Sequence, residues 1–209
     1  QLKYAAIPKT NSSKIPSKQV IKKQKSPSVL FTSGQYGQAI DLINTNLKSN
    51  IDNDKLIFLK GRSQLMLNQY EKAASTFLDA LAIKMDSDYL NGLGYAYTKL
   101  KQTDKALAAY NKAISINNKN SYAYFNSGLL LENKGNEKRA ADYFYSAGTS
   151  SLLNKDFLKA NNAHDALQRL SKGKNIILEK SNKLGNLIKE LTEDKDNDFK
   201  IIKVNTKGD

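Results

Sequence analysis

The side chains able to do covalent or metal chemistry are few. Cysteine is absent, so the chain has no disulfide, thiolate metal site or cysteine nucleophile. His164 is the single histidine. It falls on the inner face of an amphipathic stretch with no nucleophile in sequence reach, so it reads as a structural histidine rather than a catalytic base. Asp86, Asp88 and Asp104 sit beside turns as cap residues and lack the pairing that acid–base catalysis needs. The runs 171–174 (SKGK) and 133–136 (NKGN) resemble phosphate loops only in composition: neither follows a strand or has the GxxxxGK spacing. Nothing here supports an enzyme, a metal site or a cofactor, and the chemistry left is that of noncovalent recognition.

What must position such recognition is a repeat. Gly94 and Gly128, Ala106 and Ala140, Tyr110 and Phe144, and Ala113 and Ala147 are all 34 residues apart. Gly61, Tyr70, Ala73, Phe77 and Ala80 repeat the pattern one register earlier, and Tyr36, Ala39 and Ile43 repeat its second half again. Each copy reads as two antiparallel helices. Glycine stands where the first helix passes close to the second, alanines ease the same contact from the other side, and Tyr97, Tyr110, Leu131 and Phe144 fill the space between. No copy can bury its apolar face alone, so the copies must stack. Thr103–Asp104 and Asn120–Ser121 read as helix starts, and Gly135–Asn136 as the break between two helices. Pro27 interrupts the first helix of the earliest copy.

Over residues 28–154 these positions make the chain similar to the tetratricopeptide repeat (TPR) family. The resemblance implies an all-α solenoid of about 3.5 repeats. The proline that usually closes each repeat is missing; Met85, Asn118 and Leu152 stand near its place. In TPR proteins the first helix of each repeat lines a concave groove that holds a partner peptide. Carried onto this chain, the groove residues are Phe58, Arg62 and Leu65, then Asn91, Tyr95 and Thr98, then Tyr122, Phe125, Asn126 and Leu129. Tyr95, Tyr122 and Phe125 are expected to face away from the positions that pack the two helices together. The groove is then open to a peptide or helix, aromatics anchoring and Asn91 and Asn126 pairing with amides, or else it is covered by the chain itself. Arg62, Asn91 and Lys99 loosely resemble the carboxylate clamp of one TPR subclass, without its full set.

Outside the repeats, residues 1–27 form a basic arm. It carries seven lysines, no acid and all three prolines, and is expected to be disordered. It reads as a tether, as a contact for anionic membrane or cell-wall polymer, or as a nucleic-acid contact; the last is poorly supported, with no arginine and one aromatic, Tyr4. Residues 155–194 read as capping helices: Phe157, Ala160, His164, Leu167 and Leu170 mark one, and Ile177, Leu184, Ile188 and Leu191 another, with a weak point at Gly185. Residues 195–209 read as a flexible tail, or as a short strand around Phe199, Ile201 and Val204.

The formal net charge of +13 is almost all lysine, the arginines being Arg62, Arg139 and Arg169. That fits an anionic partner or the codon bias of an AT-rich genome. No window offers the roughly 18–20 apolar residues of a membrane span. Gln1 in place of Met reads as a processed or engineered start. Over about 90–147 the chain also looks like bacterial outer-membrane TPR lipoproteins that assemble pili and secretins, the tight-adherence pilus family among them. That implies a non-enzymatic assembly factor or pilotin on the periplasmic side of the outer membrane, binding a pilus or secretion component. The alternatives are a cytoplasmic TPR chaperone of a secreted client and a nucleic-acid-associated TPR adaptor. The oligomeric state is not legible.

Overall fold

The computed structural model describes residues 26–49 and 53–205, those after 193 as backbone alone. The described residues form helices only: α1 (Pro27–Thr32), α2 (Tyr36–Leu47), α3 (Asp54–Met66), α4 (Tyr70–Ile83), α5 (Ser87–Lys99), α6 (Thr103–Ile116), α7 (Ser121–Asn133), α8 (Glu137–Leu153), α9 (Phe157–Leu170) and α10 (Asn175–Asn205). Helices α3–α4, α5–α6 and α7–α8 are the three full hairpins, and α1–α2 precede them. Each second helix packs on the first helix of the next hairpin, so the core is a chain of small clusters rather than one central mass.

The recurring glycines are the close-approach points. A Cβ on Gly61 would stand 2.6 Å from the Phe77 ring, one on Gly94 2.6 Å from Tyr110, and one on Gly128 2.7 Å from Phe144. All three rings are fully buried. Phe77 is held on a second side too, since a Cβ on Gly92 of α5 would lie 2.7 Å from it. The alanines that face these glycines, Ala73, Ala106 and Ala140, are likewise fully buried.

The turns inside the hairpins share one device. Gly34, Asn68, Lys101 and Gly135 all have positive φ, between 57° and 75°. This lets the backbone amide of the following residue bond a carbonyl five residues back, as Gln69 does to Gln64 and Gln102 to Tyr97. Lys101, at φ 59°, holds a conformation that glycine adopts without steric cost. Lys101→Gly should therefore stabilise the fold by about 0.5–1 kcal/mol, read as a higher midpoint in urea.

Between hairpins a side-chain cap starts each first helix: Asn53 for α3, Asp86 for α5, Asn120 for α7 and Asp156 for α9. Asn120 is buried; its Oδ1 accepts from the Ala123 amide (3.0 Å), and its Nδ2 donates to Ser87 Oγ (2.6 Å). The Ser87 hydroxyl in turn donates to the Ala113 carbonyl (3.0 Å), joining three helices at one turn. Asn120→Ala removes a cap and the buried bond to Ser87, at a cost of about 2 kcal/mol, measurable by thermal melting.

Several sequence expectations need correction. Thr103 does not cap α6: it is the first helical residue, and Gln102 occupies the cap position without a side-chain bond. Pro27 shortens the first helix rather than abolishing it, sitting at the first position of α1, where its missing N–H costs nothing. Gly185 is no weak point; it lies inside α10, where a Cβ would meet the His164 ring at 2.9 Å. Leu191 is exposed rather than packed. Residues 195–205 continue α10 instead of making a strand or a loose tail, there being no proline or turn to stop the helix. Residues 1–25 of the basic arm and 206–209 of the tail lie outside the described residues.

Candidate partner-binding groove

Helix α3 touches α5 and α5 touches α7 directly, whereas α4 and α6, or α6 and α8, make no comparable pair. The first helices therefore crowd together on the inner side of the stack. Residues 58, 91 and 125 occupy one row across that side, and residues 62, 95 and 129 the next.

Three of the ten groove residues are exposed: Arg62, Tyr95 and Tyr122. Each carries a cation–ring contact. The Arg62 guanidinium lies 4.5 Å from the centre of the Phe31 ring and 5.8 Å from Phe58. The Lys99 ammonium lies 5.2 Å from Tyr95, and Lys159 4.3 Å from Tyr122. Between the two tyrosines, Asn126 donates to the Asn91 carbonyl oxygen at 3.3 Å. That bond uses one amide hydrogen and one oxygen lone pair, so each half-buried amide keeps further hydrogen-bonding capacity.

The other positions serve the fold more than the surface. Phe58 is half-buried, with its ring centre 4.6 Å from Tyr89 and 5.8 Å from Phe77. Phe125 does not face away from the helix pairing as expected, because its ring centre lies 5.3 Å from that of Phe144. A half-buried ring has more to gain from a buried neighbour than from solvent. Leu65 and Leu129 are half-buried against the adjoining clusters. The Thr98 hydroxyl donates to the Gly94 carbonyl (2.9 Å) and lies 3.2 Å from the Tyr110 hydroxyl. The carboxylate-clamp pattern is not assembled: Arg62 and Lys99 lie over rings, and Asn91 pairs with Asn126.

Sequence reading missed the contribution of α9. It starts at Phe157, two residues beyond the register set by α7, because α8 has 17 residues where α4 and α6 have 14. The repeat alignment therefore stopped at residue 154. Yet α9 stands where the first helix of a fourth hairpin would, with α10 packed on α8 and α9. Arg169 grips Glu132 of α7 through two bonds (3.0 and 2.7 Å), and that carboxylate raises the guanidinium's already high pKa. Lys159 is ion-paired with Asp156, which, with the Tyr122 hydroxyl, pushes its pKa up. On α5, burial followed by the neighbouring Asp86 pushes the Asp88 carboxyl up, with Arg62 opposing.

Antiparallel helix pairs in a 33–34-residue register, with a glycine-to-ring contact in each and the first helices along one inner face, define a TPR helical solenoid. The comparisons agree. The TPR repeat model matches residues 94–135. A TPR repeat-containing protein of Methanocaldococcus jannaschii is 29% identical over 115 residues, which is 55% of this chain and 20% of that protein. The chain thus spans about a fifth of the length of that curated relative. Among solved structures, the crystal structure of MamA aligns with a TM-score of 0.63 at 17% identity, covering 83% of this chain and 98% of that one. YrrB, described as a TPR protein with an unusual peptide-binding site, aligns at 0.50 and 22% identity, covering 73% and 87%. The Yersinia enterocolitica type III secretion translocator chaperone SycD aligns at 0.56 and 20% identity, covering 59% and 95%.

Proposed function

We propose that the inner face binds an extended or helical segment of a partner protein and that the chain acts as a non-enzymatic interaction scaffold. The observation that carries this is the Asn91–Asn126 amide pair set between two exposed tyrosines on neighbouring first helices. A partner backbone finds hydrogen-bonding amides in the middle and an aromatic anchor on either side. The peptide-binding site in the description of YrrB, which shares the fold, is consistent with this use.

The test uses Tyr95→Ala with Tyr122→Ala, since Phe125 and Thr98 are committed to packing. Peptides selected from a random library on the wild-type chain should bind the double variant about thirtyfold more weakly, measured by calorimetry with the melting temperature as a fold control. Unchanged affinity would refute the groove.

A narrower role extends this reading. Resemblance over 90–147 favours an assembly factor or pilotin of a pilus or secretion machine on the periplasmic side of the outer membrane. The likeness to SycD favours the alternative, a cytoplasmic chaperone of a secreted client. Parallel pull-downs from solubilised envelope and from cytosol separate the two by which fraction yields partners that the double variant loses. The net charge of +13 keeps a nucleic-acid-associated adaptor in view. Such binding would weaken steeply with salt, whereas the groove's would not.

A further inference from the structure

Between α7 and α9, on the groove side, lies a cavity of about 170 Å³ floored by α8. Tyr122 and Phe125 line it from α7, Ala147 and Ser151 from α8, and Lys159 and Asn162 from α9. Ser151 is 1% exposed, and its hydroxyl has no hydrogen-bond partner. That is unusual for a helical serine, whose default acceptor is the carbonyl one turn back. Ser63 and Ser146 follow that default, donating to Leu59 (2.8 Å) and Asp142 (3.0 Å); Ser127 and Ser181, like Ser151, are buried without a partner, and of the three it is Ser151 that lines this cavity. A buried hydroxyl left unpaired opposes folding, and one that lines a cavity can have its bond completed by an occupant.

The chemistry of the walls narrows the occupant. The cavity surface is mainly apolar, and its size is close to that of an apolar cavity able to hold a benzene ring. The cation at its edge is already matched, because Lys159 pairs with Asp156 and lies over Tyr122. The site therefore favours a neutral ring with one polar tip over an anion. A phenol both donates and accepts, so it satisfies Ser151 in either sense.

We propose that this cavity is the anchor pocket of the groove and takes a tyrosine side chain of the partner, its ring against Phe125 and Ala147 and its hydroxyl on Ser151. The assignment rests on the groove reading above. The probes are p-cresol and toluene, which carry the same ring with and without the hydroxyl, titrated into the full chain and followed by NMR. Wild type should bind p-cresol about fivefold more tightly than toluene, the worth of one net hydrogen bond, with shifts confined to residues around 122, 151 and 159. Ser151→Ala should abolish that preference and melt at a higher temperature. Asn162→Trp, at an exposed position on the rim, should block both probes without disturbing the fold. Library peptides selected on wild type should be enriched in tyrosine and bind Asn162→Trp at least about tenfold more weakly.

Absence of p-cresol binding to wild type, or a preference that survives Ser151→Ala, overturns the pocket. Library peptides that depend on Tyr95 but ignore Asn162→Trp overturn it too, while leaving the groove standing. Binding of p-cresol with no library binder at all overturns the groove reading and the partner assignment with it.

Discussion

Gly94→Val should lower the stability by about 3 kcal/mol or more and leave most of the chain unfolded at urea concentrations where the wild type is still native. The first carbon added would lie 2.6 Å from the Tyr110 ring, and valine brings two more beyond it. The ring cannot retreat: it is fully buried among alanines, and its hydroxyl lies 3.2 Å from the Thr98 hydroxyl. Helices α5 and α6 must move apart, opening the clusters on both sides of the hairpin. Overpacking of this kind costs about 3 kcal/mol or more, against a total stability of roughly 5–15 kcal/mol for a typical domain. The helix-propensity gain over glycine recovers only about 0.5 kcal/mol. Urea denaturation measures the loss. Adding Tyr110→Leu should return part of it, and the size of that coupling separates a steric cause from a general helix effect. Gly37→Ala is the control: nothing lies within 4 Å of a Cβ there, and the change should stabilise α2 by up to about 1 kcal/mol.

Phe77→Ala should be nearly as damaging, by about 3–5 kcal/mol, for the opposite reason. One ring fills the space left by two glycines, Gly61 in its own hairpin and Gly92 in the next. Removing it empties a site bounded on two sides by glycine backbone, which cannot refill it, with the Phe58 and Leu93 side chains on the remaining sides. Leu78→Ala, at a side chain about half exposed, should cost well under 1 kcal/mol by comparison. Hydrogen exchange distinguishes local from global damage. Since among the described residues each hairpin packs on its neighbours, protection should fall first in α3–α5 and last in α8–α10.

The pairing of helices was legible because it rests on residue size at a fixed period. Gly94 and Gly128 announce a close approach, and Tyr110 and Phe144 announce what fills it. The rows of the groove followed from the same register. What each row does was less legible. Phe125 and Tyr122 are both aromatic and three residues apart, but only contact with Phe144 shows that one of them belongs to the core. Thr98 reads as a groove residue by spacing, but its hydroxyl turns to the carbonyl one turn back and lies 3.2 Å from the Tyr110 hydroxyl, a contact twelve residues away that spacing does not reveal. The fourth hairpin was hidden by arithmetic: three extra residues in α8 shift α9 out of register, and with it Lys159, Asn162 and Arg169. The turn at Lys101 was hidden because lysine does not advertise a positive φ. The bonds by which Asn120 and Ser87 join three helices span 33 and 26 residues and leave no mark in the local pattern.

The neighbour-only packing has a mechanical consequence. Among the described residues no element braces one end of the stack against the other, so a small rotation at one interface adds to the next, and the groove opens or closes as a weak spring. The Asn91–Asn126 pair, the Lys159–Tyr122 contact and the two-bond grip of Arg169 on Glu132 are the rungs that stretch when it opens. The α3–α5 pair carries rungs of its own, the Tyr89 hydroxyl donating to Asp54 (2.8 Å) and the Phe58 ring against Tyr89 (4.6 Å), so every neighbouring pair of first helices is tied and the groove changes width as a series of linked steps.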